Sequence, residues 1–284
     1  MISTQSIFFI VLSILFGSAS RILIRYVVKE TEPYAFSLLV NAISTVLWLP
    51  LALATLEIPT QTIAWITLAI AAILWAISSV ADYISRKGAE VSIHQPLSQS
   101  KLIWGLLIGI FLLKETATTS QLIGNIAIFI GIGFLLWHPE KKFGKLRDPG
   151  VKWTLGAAIL TAATAAIDKF ALGWFKPEVY GFLVFLLPTI ILLAFLPGRT
   201  QHVKHLMRHR GKTAILAIVL ATTAYYFTLK AYAITEFIIV YPLLQTGTLI
   251  TVIGGIILLK EHEHFWQRII ATILIVAGAM LIGF

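Results

Sequence analysis

Charged residues lie inside long apolar stretches of this chain, where a charge needs a specific reason to be tolerated. A charge at the centre of a bilayer costs about 2.5–3.5 kcal/mol on the insertion scale, so such residues usually face a cavity or a partner. The cations outnumber the anions, which favours an anionic group, a carboxylate or a phosphate, on a small-molecule ligand. The charges in question are Arg21, Asp82, Lys101, Asp168, Lys169 and Lys230.

Two groups of charges predict ion pairs near opposite ends of the apolar stretches. Arg21 and Arg25 are four residues apart and share one helix face, and Asp82 ends another stretch that runs the same way. Asp168 and Lys230 hold comparable places in the second half of the chain. We expect Arg21/Arg25–Asp82 and Asp168–Lys230 to close the two mouths of a central cavity in turn. The alternative is that these side chains extend to the lipid headgroups.

Lys101 lies about nine residues into its apolar stretch, roughly 13 Å deep at 1.5 Å per residue. Beside it, Gln99 is an uncharged hydrogen-bonding group that recurs as Gln245. One interpretation is that the Lys101 ammonium meets an anionic group of the ligand. The other is a structural ion pair of Lys101 with Glu90 or Asp82.

Aromatic side chains predict the walls of an amphipathic pocket, although Trp and Tyr near span ends also form interfacial belts. Together with the cations they favour a small polar or anionic metabolite, similar to an amino acid. The predicted substrate-binding residues are Lys101, Gln99, Gln245, Arg21, Trp75, Trp104, Tyr225 and Tyr226. The predicted gating or ion-coupling residues are Arg25, Asp82, Asp168, Lys230 and Glu90.

The composition indicates which elements must position these residues. Of the 284 residues, 58% are apolar and only 12% are charged, whereas an ordinary soluble domain is about 25% charged. The composition therefore indicates an integral membrane protein. The net charge of +9 lies mostly between the apolar stretches, which favours orientation signals over nucleic-acid binding. The absence of cysteine excludes thiolate catalysis and Cys-ligated metals, and no metal or cofactor is predicted.

Ten stretches are long enough to cross a bilayer as helices, which predicts an all-α membrane fold. Most connections between them are too short to fold on their own. One of the two longest connections is basic and contains Pro139, Gly144, Pro149 and Gly150, and it divides the chain into five spans plus five. The predicted spans are 4–27, 34–55, 62–84, 91–113, 119–138, 152–174, 179–197, 213–232, 237–259 and 266–284.

The two halves carry copies of one segment. Pro96–Glu115 reads PLSQSKLIWGLLIGIFLLKE and Pro242–Glu261 reads PLLQTGTLITVIGGIILLKE, with nine of twenty residues identical in one register. Because each half has an odd number of spans, the second half must enter the membrane in the opposite direction. The sequence predicts two inverted five-helix repeats, 1–138 and 152–284, joined by a basic linker at 139–151.

Each of the two copies ends in LLKE, at 112–115 and 258–261, and glycine-rich spans follow, as at Gly124 and Gly131 or at Gly278. This pattern resembles the drug/metabolite transporter superfamily, specifically its EamA-type ten-helix members. The resemblance covers the whole chain. It implies that spans 1–4 and 6–9 line a central cavity and that spans 5 and 10 pack outside it.

The predicted function is a secondary active transporter that moves a small metabolite by alternating access, with a proton or another ion as a possible coupling partner. No nucleotide-binding loop is recognisable, so ATP hydrolysis is not indicated. An integral-membrane enzyme, a channel or a scaffold is the alternative. We expect a multi-pass protein of the plasma membrane with both termini on one side. The cations place that side outside, whereas members of the resembled family usually have cytoplasmic termini; the oligomeric state stays open.

Overall fold

The structure is a computed structural model that describes residues 2–28, 32–88, 98–135, 149–195, 200–250 and 265–283. Within those ranges every regular element is a helix. The helices are α1 (Thr4–Val28), α2 (Pro33–Ala54), α3 (Thr62–Gly88), α4 (Lys101–Phe111), α5 (Thr119–Leu135), α6 (Pro149–Ala171), α7 (Pro177–Phe195), α8 (Thr200–Ile234), α9 (Phe237–Gln245) and α10 (Phe265–Gly283).

Six of these helices, α1, α2, α3, α6, α7 and α8, are long and apolar enough to cross a membrane. Shorter apolar helices lie at Lys101–Phe111, Thr119–Phe134, Phe237–Ile250 and Ile270–Ile282. Each predicted span overlaps one helix of the described ranges, and residues 91–97 of the fourth span and 251–259 of the ninth lie outside those ranges. The predicted all-α membrane fold is confirmed, whereas the crossing of all ten helices stays a prediction.

Proline sets several helix starts, because its fixed φ suits the first helical turn and its missing N–H would be unpaired there anyway. Pro33, Pro149 and Pro177 open α2, α6 and α7. Glu32 caps α2, where its carboxylate accepts the Ala35 amide at 2.9 Å. α8 begins at Thr200, earlier than the predicted span 8, with non-helical angles at Arg210. Much of the predicted 197–212 connection is therefore helical.

Helices of residues 2–135 pack on helices of residues 149–283 in several pairs, among them α1–α8, α2–α7, α3–α6, α4–α9 and α5–α10, and α4 also packs on α6, α3 on α7 and α2 on α8. In α1–α8, the Ser13 hydroxyl meets the Thr228 hydroxyl at 2.7 Å, and Ser20 donates to the Ala217 carbonyl at 2.7 Å. These contacts run in opposite chain directions, so the helices are antiparallel. The α5–α10 pair is antiparallel in the same way, because Ser120 donates to the Leu281 carbonyl at 2.9 Å and Gln267 donates to the Phe134 carbonyl at 2.6 Å.

Small residues allow the closest approaches between paired helices. A Cβ atom at Gly124 would lie 2.6 Å from the Gly278 carbonyl oxygen, so the backbones of α5 and α10 touch. At Gly105, a Cβ atom would lie 2.5 Å from the Tyr241 ring of α9. Gly105 therefore allows α4 to approach α9 closely.

The end of the bundle at which α1 begins is called the near end below. There the Ser6 hydroxyl meets the Thr235 hydroxyl, which brings the start of α1 to the end of α8. The ammonium of Lys169, at the end of α6, donates to the carbonyl of the same Thr235 at 2.8 Å. The near end therefore gathers the ends of α6 and α8 beside the start of α1.

Candidate functional site

The carboxylate of Asp168 is buried near the end of α6, with 2% of the residue exposed. Three side chains donate to it from three other helices: Trp75 Nε1 of α3 at 3.0 Å, Tyr180 OH of α7 at 2.7 Å and Tyr225 OH of α8 at 3.0 Å. Trp75 and Tyr180 share Oδ1, and Tyr225 bonds to Oδ2. We call this arrangement the Asp168 centre. Hydrogen bonds from neutral aromatic side chains stabilise the negative charge of this carboxylate.

Five aromatic rings pack beside this carboxylate and are called the aromatic cluster. Tyr225 lies 5.4 Å from Trp75 and 5.3 Å from Phe185, measured between ring centroids, with the rings close to perpendicular. The Trp48 ring is 5.6 Å from that of Tyr226. Edge-to-face contacts of this kind add about 0.5–1.5 kcal/mol each beyond the burial of apolar area.

The Trp48 side chain fits only because α7 has a glycine opposite it. A Cβ atom at Gly181 would lie 2.3 Å from the Trp48 ring. Trp48 is 1% exposed, and its Nε1 donor has no hydrogen-bond partner among the described residues. A buried donor without a partner costs about 1–3 kcal/mol, so this group is a candidate for ligand contact.

Lys230 of α8 pairs with Glu178 of α7 at 2.5 Å and not with Asp168. Its ammonium also lies over the Tyr226 ring, 5.5 Å from the centroid. The predicted Asp168–Lys230 pair is wrong in this structure, because each partner is satisfied by another residue of α7. The structure instead joins Asp168 to Trp75 and Tyr225, which were predicted as substrate-binding residues.

Arg21 packs against α9. Its Nη2 donates to Ser18 Oγ at 3.2 Å, and Ser18 in turn donates to the Gly247 carbonyl at 3.0 Å. A Cβ atom at Gly247 would lie 2.6 Å from the Arg21 guanidinium. In the aligned sequence copies, Gly247 matches Lys101. A cation is therefore present in both copies: Lys101 itself in the first, and Arg21 of α1 beside Gly247 in the second.

The other predicted residues are placed as follows. Asp82 lies half-buried on α3, and the Arg21/Arg25–Asp82 pair stays a prediction. Glu90 lies outside the described residues, as does the side chain of Arg25. The remaining predicted residues belong to α4 and α9: Gln99 just before α4, the half-buried Lys101 as its first residue, Trp104 on its exposed surface, and the half-buried Gln245 at the end of α9.

Gln99 has a property that marks it as a second ligand candidate. The residue is buried, and its Oε1 atom has no partner among the described residues. The hydroxyls of Ser100 and Tyr241 share that state, and Tyr241 packs on Gly105 of α4. Buried polar atoms of native proteins are seldom unpaired, so these three groups need an explanation.

The first LLKE motif ends α4 and holds the start of α9. Lys114 has a φ of 57°, the left-handed conformation that often follows a helix end, and the Glu115 amide donates back to the Gly109 carbonyl at 3.1 Å. This turn directs the Glu115 carboxylate at α9, where it accepts the amides of Phe237 at 2.8 Å and Ile238 at 2.9 Å. Burial raises the pKa of the Glu115 carboxyl, and these amide donors act in the opposite direction.

A cavity of about 420 Å³ lies at the near end, beside this turn. Glu115 and Leu113 line it from the first half of the chain, and Lys169, Trp174 and Tyr232 from the second. It is separate from the Asp168 centre in its lining residues.

Sequence reasoning missed Trp48, Tyr180, Phe185, Glu178 and the role of Glu115. Glu115 stood out only through the repeated LLKE. Three of these five lie on α7, which the sequence presents as a plain apolar span. The sequence feature that could have indicated these residues is Asp168, because an acid within a membrane span requires hydrogen-bond donors from other helices.

A family model described as Sugar transport protein matches residues 23–284 of the chain. A curated protein of Lactococcus lactis subsp. lactis (strain IL1403), described as "Putative sugar uptake protein YxfA", is 26% identical over 224 residues, which cover 74% of this chain and 76% of that protein. A solved structure titled "Crystal structure of protein" superposes with a TM-score of 0.77 at 15% identity, over 99% of this chain and 96% of the other. That similarity shows the fold alone.

Proposed function

The chain belongs to the sugar transport protein family, and from this premise we propose that it moves a sugar across the membrane by alternating access through the Asp168 centre. The chain is a multi-pass membrane transporter. We further propose that it is an EamA-type member of the drug/metabolite transporter superfamily.

The helix pairing supports two inverted repeats. If residues 1–138 and 152–284 exchange places, α1 takes the place of α6 and α3 that of α8. The α1–α8 pair then becomes the α6–α3 pair, while α2–α7, α4–α9 and α5–α10 each map onto themselves. Such symmetry gives two states of similar energy, one open to each side.

The observation that carries the proposal is the burial of the Asp168 carboxylate among aromatic donors of three helices. A carboxylate has about four acceptor sites, and a sugar hydroxyl is both a donor and an acceptor. Hydroxyl groups of a sugar can therefore replace Tyr180 or Tyr225 at Asp168 and accept from Trp48 Nε1. The C–H face of the sugar ring is apolar and would pack on the aromatic cluster, as in other mostly apolar sites with few polar groups.

The charge of this centre favours a neutral polyhydroxy compound over an anion. Asp168 is buried without an ion-pair partner among the described residues, so it would repel a carboxylate or a phosphate. Lys230, one of the cations on which the anionic prediction was based, is neutralised by Glu178. We therefore propose a sugar or a polyol in place of an amino-acid-like anion.

The test is counterflow of radiolabelled D-glucose and D-ribose, as hexose and pentose probes, in proteoliposomes. Wild-type protein should concentrate at least one of the labels against unlabelled sugar of the same kind, which a channel cannot do. Asp168→Asn keeps the size of the side chain but loses its charge, and it should reduce the initial rate at least about tenfold. Glu57→Gln, at the exposed Lys176 pair, is the control and should transport normally. Normal counterflow by Asp168→Asn would contradict the proposed centre.

A further inference from the structure

The cavity at the near end lies between the two halves of the chain. Its volume of about 420 Å³ falls within the range of about 300–1,000 Å³ that small-molecule sites occupy. Leu113 and Glu115 reach it from the end of α4, and the other walls come from the end of α6, the turn after it and the end of α8. A ligand there would touch both halves at once.

Two opposite charges line this cavity without pairing directly. Lys169 Nζ donates to the carbonyls of Tyr232 at 2.6 Å and Thr235 at 2.8 Å, which uses two of its three N–H donors. The Glu115 carboxylate accepts two amides and has further acceptor sites. The ammonium acts on the Glu115 carboxyl through space, yet no direct salt bridge joins them within the described part of the chain.

A hydroxyl group suits such a pair of charges better than an ion does. It can accept from the Lys169 ammonium and donate to the Glu115 carboxylate in the same position, whereas an anion or a cation would be repelled by one of the two. The net charge of the pair is zero, and Glu236, just before α9, adds a nearby negative charge that acts on both residues and further disfavours an anion. The polar part of the cavity therefore favours a neutral polyhydroxy ligand.

Aromatic rings supply an apolar wall. Trp174 and Phe170 line the cavity, and their rings meet at 4.9 Å between centroids in an edge-to-face arrangement. Phe170 is exposed and Trp174 is half-buried, so the wall reaches the surface of the bundle. A flat apolar sugar face can pack on it while its hydroxyls reach the two charges.

We propose that this cavity is a second sugar-binding site at the near-end mouth of the transporter, formed by Glu115, Lys169, Phe170 and Trp174. The inference rests on the proposed function, since it assigns the transported class of compound to a second place. The site holds the sugar outside the Asp168 centre. It lies next to the hydrogen bonds by which Glu115 contacts the start of α9 and Lys169 contacts the end of α8.

The stoichiometry of binding tests the proposal. The full chain in detergent is equilibrated by dialysis with saturating radiolabelled D-glucose, and separately with D-ribose. Wild-type protein should bind about two equivalents of at least one probe. Trp174→Ala removes the wall of the cavity and should bind about one, and Asp168→Asn should also bind about one, at the other site. Trp153→Ala, an exposed tryptophan near the start of α6, is the matched control and should bind two.

Phe170→Ala guards against a folding defect in Trp174→Ala, because Phe170 is already exposed. It should weaken the second equivalent about threefold to tenfold and leave the first unchanged. A single wild-type equivalent that Asp168→Asn loses and Trp174→Ala keeps would overturn the second site and leave the proposed function standing. A single equivalent with the reverse pattern would support the second site and contradict the Asp168 centre. Binding of neither probe would overturn both.

Discussion

The α1–α8 and α3–α6 pairs exchange under the proposed two-fold symmetry, yet they are held by different chemistry. In α1–α8, hydroxyl contacts recur every seven residues along α1, at Ser6, Ser13 and Ser20. In α3–α6, Thr164 donates to the Ser78 hydroxyl at 3.4 Å, and in addition Trp75 donates to the buried carboxylate of Asp168. One pair resembles an ordinary membrane helix contact, and the other contains a charge.

The difference indicates which pair binds the substrate. Hydrogen bonds between membrane helices contribute about 0.6 kcal/mol on average, enough to align α1 and α8 but not to require a charge. A buried carboxylate is far costlier and is retained where it has a function. In the proposed function, the two-fold symmetry positions the helices, and Asp168, which departs from that symmetry, binds the substrate.

The largest expected effect comes from removing the charge of the α3–α6 pair. Asp168→Ala deletes the acceptor of three buried donors, each of which costs about 1–3 kcal/mol when unpaired. We expect sugar transport to fall at least about 100-fold, measured as the initial rate in proteoliposomes and normalised to folded protein. A rate within threefold of wild type would remove the distinction between the two pairs.

The next effect concerns the wall of the aromatic cluster. Gly181→Ala places a Cβ atom against the Trp48 ring, and overpacking of this kind costs about 1–3 kcal/mol. Transport should fall about tenfold as Trp48 moves. Gly156→Ala is the matched control, since nothing lies within 4 Å of the added Cβ atom on α6. Equal thermal unfolding and equal transport for both variants would refute a role for the fit of Trp48.

A smaller effect is expected for the Lys230–Glu178 pair, which links α8 to α7 at the edge of the cluster. The Lys230 side chain is partly exposed, and that of Glu178 is nearly buried. Exposed ion pairs contribute up to about 1 kcal/mol to the free energy of unfolding. A double-mutant cycle with Lys230→Gln and Glu178→Gln should give a coupling of about 0.5–1 kcal/mol in detergent unfolding. Zero coupling would mean that this contact does not position α7.

The smallest effect is expected in the α1–α8 pair. Ser13→Ala removes one hydroxyl contact and should lower the free energy of unfolding by about 0.6 kcal/mol. Transport should stay within twofold of wild type. If Ser13→Ala reduces transport as strongly as Asp168→Ala does, the two pairs are functionally alike and the comparison fails.

The sequence predicts the helical framework well, because apolar length and proline positions are local signals. Pro33, Pro149 and Pro177 each open a helix, and the helices fall on the predicted spans. The start of α8 at Thr200 was not predicted, because polar and basic residues there resemble a solvated connection. Gly105 and Gly109 have the spacing of small residues at membrane helix contacts, and side chains of α9 pack on both.

The candidate site is only partly predictable. Asp168, Trp75, Tyr225 and Tyr226 were singled out by residue type, but their assembly depends on contacts between distant segments. Tyr180 could not be matched to Asp168 from spacing along the chain, because the two lie on different helices. In the same way, Lys230 was predicted to pair with Asp168 and not with Glu178, because Glu178 lies at the start of α7, where a charge is usually exposed.

The most direct test of the account uses the absence of cysteine from the chain. Thr164→Cys places a thiol one helical turn before Asp168, at a buried position facing Ser78. In oriented proteoliposomes, a membrane-impermeant thiol reagent added to either side should label residue 164, and the transported sugar should slow labelling from both sides. Labelling from one side only, with no protection by D-glucose or D-ribose, would contradict alternating access through the Asp168 centre.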